Sequence, residues 1–128
     1  MRTYFLILLS VLFCSSCKKD KHYDRSYISI SNKSNIGCDS VYVYVNIYNG
    51  YINDSLIIGQ IPHNDSISVI WDNIKTSGTD GHFVFKAFMH DNKILNKVGG
   101  RFSEFEYSKV PSKMNLTIYA DSIKIVSE

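Results

Sequence analysis

The sequence predicts an all-β domain, an antiparallel β-sandwich of seven to nine short strands, and three observations carry that prediction. In Val41-Tyr-Val-Tyr-Val-Asn-Ile-Tyr48 the odd positions are aliphatic and the even ones are tyrosine or asparagine. A strand sends successive side chains to opposite faces, so one face there is aliphatic and the other tyrosine-rich. Short apolar runs then recur between turn-forming clusters: Asn49-Gly50, Pro62-His-Asn-Asp65, Ser77-Gly-Thr-Asp-Gly81, Asp91-Asn92, Gly99-Gly100 and Pro111-Ser112. Gly, Pro, Asn and Asp supply the fixed or left-handed backbone that joins strands. Finally, no segment after residue 16 keeps a helical period through three turns.

In chain order the expected strands are Tyr27 to Ser31, Ser40 to Tyr48, Ser55 to Ile61, Ser66 to Trp71, His82 to Met89, Lys93 to Val98, Arg101 to Tyr107, Met114 to Ala120 and Ser122 to Val126. Asp91-Asn92 predicts a tight hairpin. The expected core is Ile28, Ile30, Val41, Val43, Val45, Ile47, Ile67, Val69, Trp71, Phe83, Phe85, Ala87, Met89, Leu116 and Ile118. Burying such side chains contributes about 1.5–3 kcal/mol each, enough for a domain of this size to fold without disulfides.

Before the strands comes Met1-Arg2 and an uncharged apolar run from Tyr4 to Phe13, followed by Ser15, Ser16 and Cys17. About twenty apolar residues are needed to cross a bilayer. The shorter run reads as the h-region of a signal peptide, with small residues at the scissile bond. This stretch resembles the lipobox of bacterial lipoproteins, in which small residues precede a cysteine that is acylated and becomes the mature N-terminus. The resemblance implies a signal peptide over 1–16, a covalent diacylglycerol and N-acyl lipid such as palmitate on Cys17, and no other cofactor. Cys14 stands where the pattern prefers Leu, and bulky Phe13 before it disfavours acylation there. A redox CxxC would sit beside a folded βαβ unit, which the surroundings of Cys14 and Cys17 do not form.

Residues 17–26 are rich in charge, with almost no aliphatic side chain, and are expected to be a flexible tether; 27–128 is then the single β-sandwich domain. Lys18, Lys19 and Lys21 read as solvated tether residues that also suit anionic headgroups. Surface-exported lipoproteins of Bacteroidota carry an acidic run after the cysteine. Lys18-Lys-Asp-Lys21 departs from it, so the resemblance implies the outer membrane with the domain facing the periplasm. Cys38 is expected to be a free thiol in a turn with an incidental role.

Asp39-Ser40, Asp54-Ser55, Asp65-Ser66 and Asp121-Ser122 each precede an aliphatic residue, at expected strand starts. Asp and Ser hydrogen-bond nearby backbone and favour such turns. The motif also resembles the Asp-Ser/Thr-aliphatic acceptor of periplasmic O-glycosylation in Bacteroidota, which makes Ser40, Ser55, Ser66 and Ser122 candidate sites.

Fourteen basic and twelve acidic residues give a formal net charge of +2, with no basic cluster inside the domain, so nucleic acid is not an expected partner. No G-x-S-x-G, H-E-x-x-H, P-loop or G-x-G-x-x-G motif occurs. His22, His63, His82 and His90 are dispersed, and an eight-residue strand would hold the last two about 26 Å apart. Glu104 and Glu106 share a face, as any alternating polar face allows. The expectation is a non-enzymatic protein without catalytic residues or a metal.

The candidate binding face is Tyr42, Tyr44 and Tyr48 with Tyr51 in the adjoining turn, since tyrosine joins contact area to a polar tip. The bland reading is cross-strand packing that stabilises an exposed sheet. Immunoglobulin-like and transthyretin-like sandwiches both fit the strand pattern. The tether, Val/Tyr strand and late terminal strands loosely resemble transthyretin-like outer-membrane lipoproteins of envelope machines such as type VI secretion. That resemblance implies an anchored binding or accessory module for a protein partner or glycan. The alternative is a periplasmic inhibitor or immunity-type lipoprotein that neutralises a toxin or hydrolase.

Overall fold

The computed structural model describes residues 24–47, 50–76, 80–103 and 110–128. Over these residues the chain forms eight strands: β1 (Asp24–Asn32), β2 (Cys38–Ile47), β3 (Ile52–Ile58), β4 (Ser66–Ile74), β5 (Gly81–Met89), β6 (Ile94–Phe102), β7 (Lys113–Ile118) and β8 (Ile123–Ser127). They build two four-stranded sheets, ordered β4-β1-β7-β8 and β3-β2-β5-β6. The antiparallel sandwich is therefore the fold.

One pair departs from the antiparallel rule, because β1 runs parallel to β7 from Tyr27↔Lys113 to Asn32↔Ile118. Parallel neighbours need a long connection, and here five intervening strands supply it. In the immunoglobulin arrangement the first two strands share a sheet. Here β1 and β2 lie in opposite sheets, so the strand order departs from that arrangement.

Alternation decides which face is buried. Val41, Val43 and Val45 of β2 meet Phe83, Phe85 and Ala87 of β5 across one sheet, and Ile28, Ile30, Met114, Leu116 and Ile118 oppose them from the other. Trp71 packs edge-on against Phe83 at 5.9 Å, and Phe83 against Phe102 at 5.7 Å, the edge-to-face geometry that aromatic quadrupoles favour. Of the expected core, Ile47, Ile67 and Val69 are only partly buried, while Cys38, Ile58, Ile61, Ile74, Leu95, Phe102, Met114 and Ile123 join it.

Four further expectations are corrected. Gly99-Gly100 is not a turn: both lie inside β6, which joins two expected strands into one. Phe83 faces Gly99 while Gly81 faces Phe102, so β6 carries one extra residue, and Gly100 absorbs the bulge at φ +59. A Cβ there would stand 3.0 Å from Met114 Sδ and 3.1 Å from Phe83 Cδ2. Residues 104–109, including Glu104 and Glu106, lie outside the described residues, as do Cys14 and Cys17.

Strand β3 starts three residues earlier than expected, because Gly50 at φ +75 closes the hairpin by donating to Ile47 O at 2.8 Å. Ile61 keeps only an isolated bridge to Cys38. Asp24, Arg25 and Ser26, expected in the tether, belong to β1, where Arg25 pairs with Asp72. The hairpin at Asp91-Asn92 forms as expected: Asn92 takes φ +65 and donates to Met89 O, and Met89 N donates to Lys93 O.

At the far end of β1 the buried Asn32 ties three segments together. Its Nδ2 donates to Ile36 O at 2.8 Å and Ile61 O at 3.0 Å, and its Oδ1 accepts from Ser34 N at 3.0 Å and Ser34 Oγ at 2.6 Å. His63 adds a ring nitrogen against Ser34 O. No signal in sequence spacing marks this polar knot.

Candidate functional site

Tyr42 and Tyr44 leave β2 on the face away from the core, as their alternation with the valines requires. Cross-strand register builds two rows around them. Ile57, Tyr42, Lys86 and Asn96 form one, and Ser55, Tyr44, Val84 and Val98 the other, on β3, β2, β5 and β6 in turn. The two tyrosine rings lie 5.3 Å apart at 33°. Lys86 Nζ stands 5.4 Å from the Tyr44 ring centre, a cation–π contact of about 0.5–1 kcal/mol at an exposed site.

The rest of these rows joins apolar Ile57, Val84 and Val98 to polar Ser55, Lys86 and Asn96. Ile57 is 71% exposed and Val98 51%, whereas Val84 is only 7% exposed although it points outward between Tyr44 and Val98. Lys86 is the sole charge on the two rows, and no carboxylate accompanies it. Charge depletion with tyrosine enrichment is the composition of an interface centre rather than of ordinary surface.

Of the four tyrosines named from the sequence, the structure thus pairs Tyr42 with Tyr44. Tyr51 sits apart, at the β2–β3 hairpin, and Tyr48 lies outside the described residues. Ile57, Val84, Lys86 and Val98 were not expected. The signal for Val84 was present in Phe83-Val84-Phe85, a run with no polar member, which marks a strand apolar on both faces.

The opposite sheet presents different chemistry. Its outer rows are Ser68, Ser29 and Asn115, then Ser66, Ser31 and Thr117, and Ser68 Oγ donates to Ser29 Oγ at 3.2 Å. A shallow depression of about 620 Å³ lies here, walled by Tyr27, Ile70 and Lys113.

The Asp-Ser pairs divide. Asp54 Oδ1 accepts from Ser55 N at 2.9 Å and Asp65 Oδ1 from Ser66 N at 2.7 Å, the backbone chemistry expected of the motif. Ser122 Oγ donates to Asp121 at 3.1 Å, and Asp39 contacts His90 Nδ1 at 3.1 Å. Ser55, Ser66 and Ser122 are exposed and Ser40 is half-buried. Asp54-Ser55 lies inside β3 rather than at its start; Asp54 Oδ2 also accepts from Lys75 N at 3.0 Å, linking the two sheets at one seam.

Cys38 is not in a turn but buried as the first residue of β2, with its thiol directed to Ser40 O and Phe88 O. Burial pushes its pKa above the ordinary thiol range. Among the described residues no group of three or more His, Cys, Asp or Glu side chains could hold a metal ion, and His63, His82 and His90 stand apart. No described helix is long and apolar enough to cross a membrane.

No protein-family model and no curated protein matches the chain. Among solved structures it is similar to one described as the NMR structure of the protein from Eubacterium rectale. The TM-score is 0.54 and the identity 14%, covering 81% of this chain and 90% of that one. At that identity the likeness shows the fold alone.

Proposed function

We propose that this chain is a non-enzymatic, lipid-anchored envelope lipoprotein, held by Cys17 in the outer membrane facing the periplasm, whose Tyr42/Tyr44 face binds a protein partner. The observation that carries the reading is the pair of outer rows on the β3-β2-β5-β6 sheet: Ile57, Tyr42, Tyr44, Val84 and Val98 across four strands, beside polar Ser55 and Asn96, with Lys86 the sole charge. A face with exposed aliphatic and aromatic side chains and a single cation suits a protein with its own apolar patch and a carboxylate for Lys86.

The test is recovery of the partner from solubilised envelopes by the mature chain and by its Tyr42→Ala/Tyr44→Ala variant. Central aromatic residues of interfaces cost about 2 kcal/mol or more on truncation, roughly a thirtyfold loss of affinity. Unchanged recovery by the double variant rules this face out.

A glycan is the second reading, favoured by the opposite sheet, where Tyr27 offers a stacking wall and Ser29, Ser68 and Asn115 a hydrogen-bonding floor. Binding of envelope oligosaccharide that Tyr27→Ala abolishes and Tyr44→Ala does not would select it. A toxin or hydrolase as the recovered protein would make the chain an inhibitor acting through the same tyrosine face.

A further inference from the structure

At the end of the sandwich where β1 begins, the described chain starts beside an exposed apolar hairpin tip. Asp24 pairs with Ile74. The next residue, Lys75, donates to Asp54 Oδ2 at 3.0 Å and its carbonyl accepts from Asn53 Nδ2. Those two residues directly follow Tyr51-Ile52. Trp71, opposite Ser26, packs on Phe83, which faces Val45 near the same end of β2. Tyr51 is 70% exposed and Ile52 55%, and neither belongs to the Tyr42/Tyr44 rows.

The covalent chain limits how far this end can stand from the anchor. Seven residue steps separate Cys17 from Asp24, and they reach at most about 25 Å when fully extended. A nine-residue strand is itself about 30 Å long. With an acylated Cys17, the β1 start and its neighbouring hairpin are held within about 25 Å of the bilayer, whereas the Asn32 end is free to stand a strand length farther away. Tyrosine, with an apolar ring and a polar tip, prefers the headgroup level, and Ile52 adds apolar area beside it.

We propose that Tyr51 and Ile52 seat in the interfacial layer of the membrane that holds the Cys17 lipid, so that the domain stands on its anchor. This rests on the lipid-anchor reading and is separate from the partner face. It places the β7–β8 hairpin, with Ala120 and Ser122, at the end turned away from the bilayer, because β7 runs parallel to β1. Both rows of the Tyr42/Tyr44 face then lie on the flank of the standing domain, open to a partner.

The experiment uses the full mature chain recovered from membranes and reconstituted into vesicles of phosphatidylethanolamine and phosphatidylglycerol. Tyr51→Cys, Ile52→Cys and Ala120→Cys variants each carry a polarity-sensitive fluorophore, while buried Cys38 remains unlabelled in the folded chain. Blue-shifted emission from positions 51 and 52, with water-like emission from 120, is the expected result. Adding Ile52→Asp to the Tyr51→Cys chain removes the shift. An acylated, vesicle-bound chain whose labels at 51 and 120 emit alike overturns membrane seating and leaves the anchor intact. A sample whose N-terminal mass shows Cys17 unmodified overturns the anchor and the seating with it.

Discussion

Replacing Asn32 by alanine removes the knot that joins β1 to the segments around Ile36 and Ile61, and the cost follows from which groups lose their last partner. Ile61 O keeps the N–H of Cys38 at 3.0 Å, while Ile36 O, left by the Asn32 amide, takes the hydroxyl of Ser34 at 2.6 Å in its place. Ile61 O therefore loses one bond of two, about 1 kcal/mol. The N–H of buried Ser34 has only Asn32 Oδ1, and stranding a buried donor costs about 1–3 kcal/mol. The Ser34 hydroxyl carries one proton, which it can commit to Ile36 O once Oδ1 is gone, so it adds little.

The total for Asn32→Ala is about 2–4 kcal/mol, a large share of the roughly 5–15 kcal/mol that holds a typical domain together. With a urea slope of about 1.5 kcal/mol/M, the unfolding midpoint falls by about 1.3–2.7 M. Equilibrium urea unfolding followed by Trp71 fluorescence measures it. A midpoint displaced by less than about 0.5 M would refute the assignment of Asn32 as the tie between these segments.

Three further outcomes are expected. Gly100→Ala forces a Cβ into the left-handed region between Met114 and Phe83 and costs about 2 kcal/mol, read as a melting temperature lower by about 10 °C; an unchanged melting temperature contradicts the bulge. Cys38 resists aromatic disulfide reagents in the native state and reacts at once in denaturant. Its raised pKa stabilises the fold below the ordinary thiol range and the contribution fades as pH rises through the folded-state value, so reaction that is fast at neutral pH contradicts the burial. If the Asp-Ser motif is glycosylated, Ser55→Ala and Ser66→Ala each remove a sugar increment from the intact mass, and a mass equal to peptide plus lipid excludes modification.

The sandwich could be read from the sequence because alternation is a local property: Val41 to Ile47 and His82 to Met89 each declare their inner face without reference to the rest of the chain. The fusion of two expected strands into β6 could not. Gly99-Gly100 has the composition of a turn, and only the partner strand makes it a bulge. Likewise, nothing local distinguishes Cys38 in a turn from Cys38 at a buried strand start, since Ile61 and Phe88, which cover and receive it, are remote in sequence. For the candidate site the limit is the same. Alternation revealed Tyr42 and Tyr44, but their rows are completed by Ile57, Lys86 and Val98 through strand order and register, which no short stretch encodes.

In the function proposed above, the outer face of β3-β2-β5-β6, and not that of β4-β1-β7-β8, is where the protein meets its partner. Photoreactive residues placed at Val98 on the first face and at Val126 on the second, both about half exposed, test it in intact cells. A discrete cross-linked protein from position 98, absent from position 126 and lost when Tyr42→Ala/Tyr44→Ala is added, is the predicted result. Cross-links from position 126 with none from position 98 would contradict it.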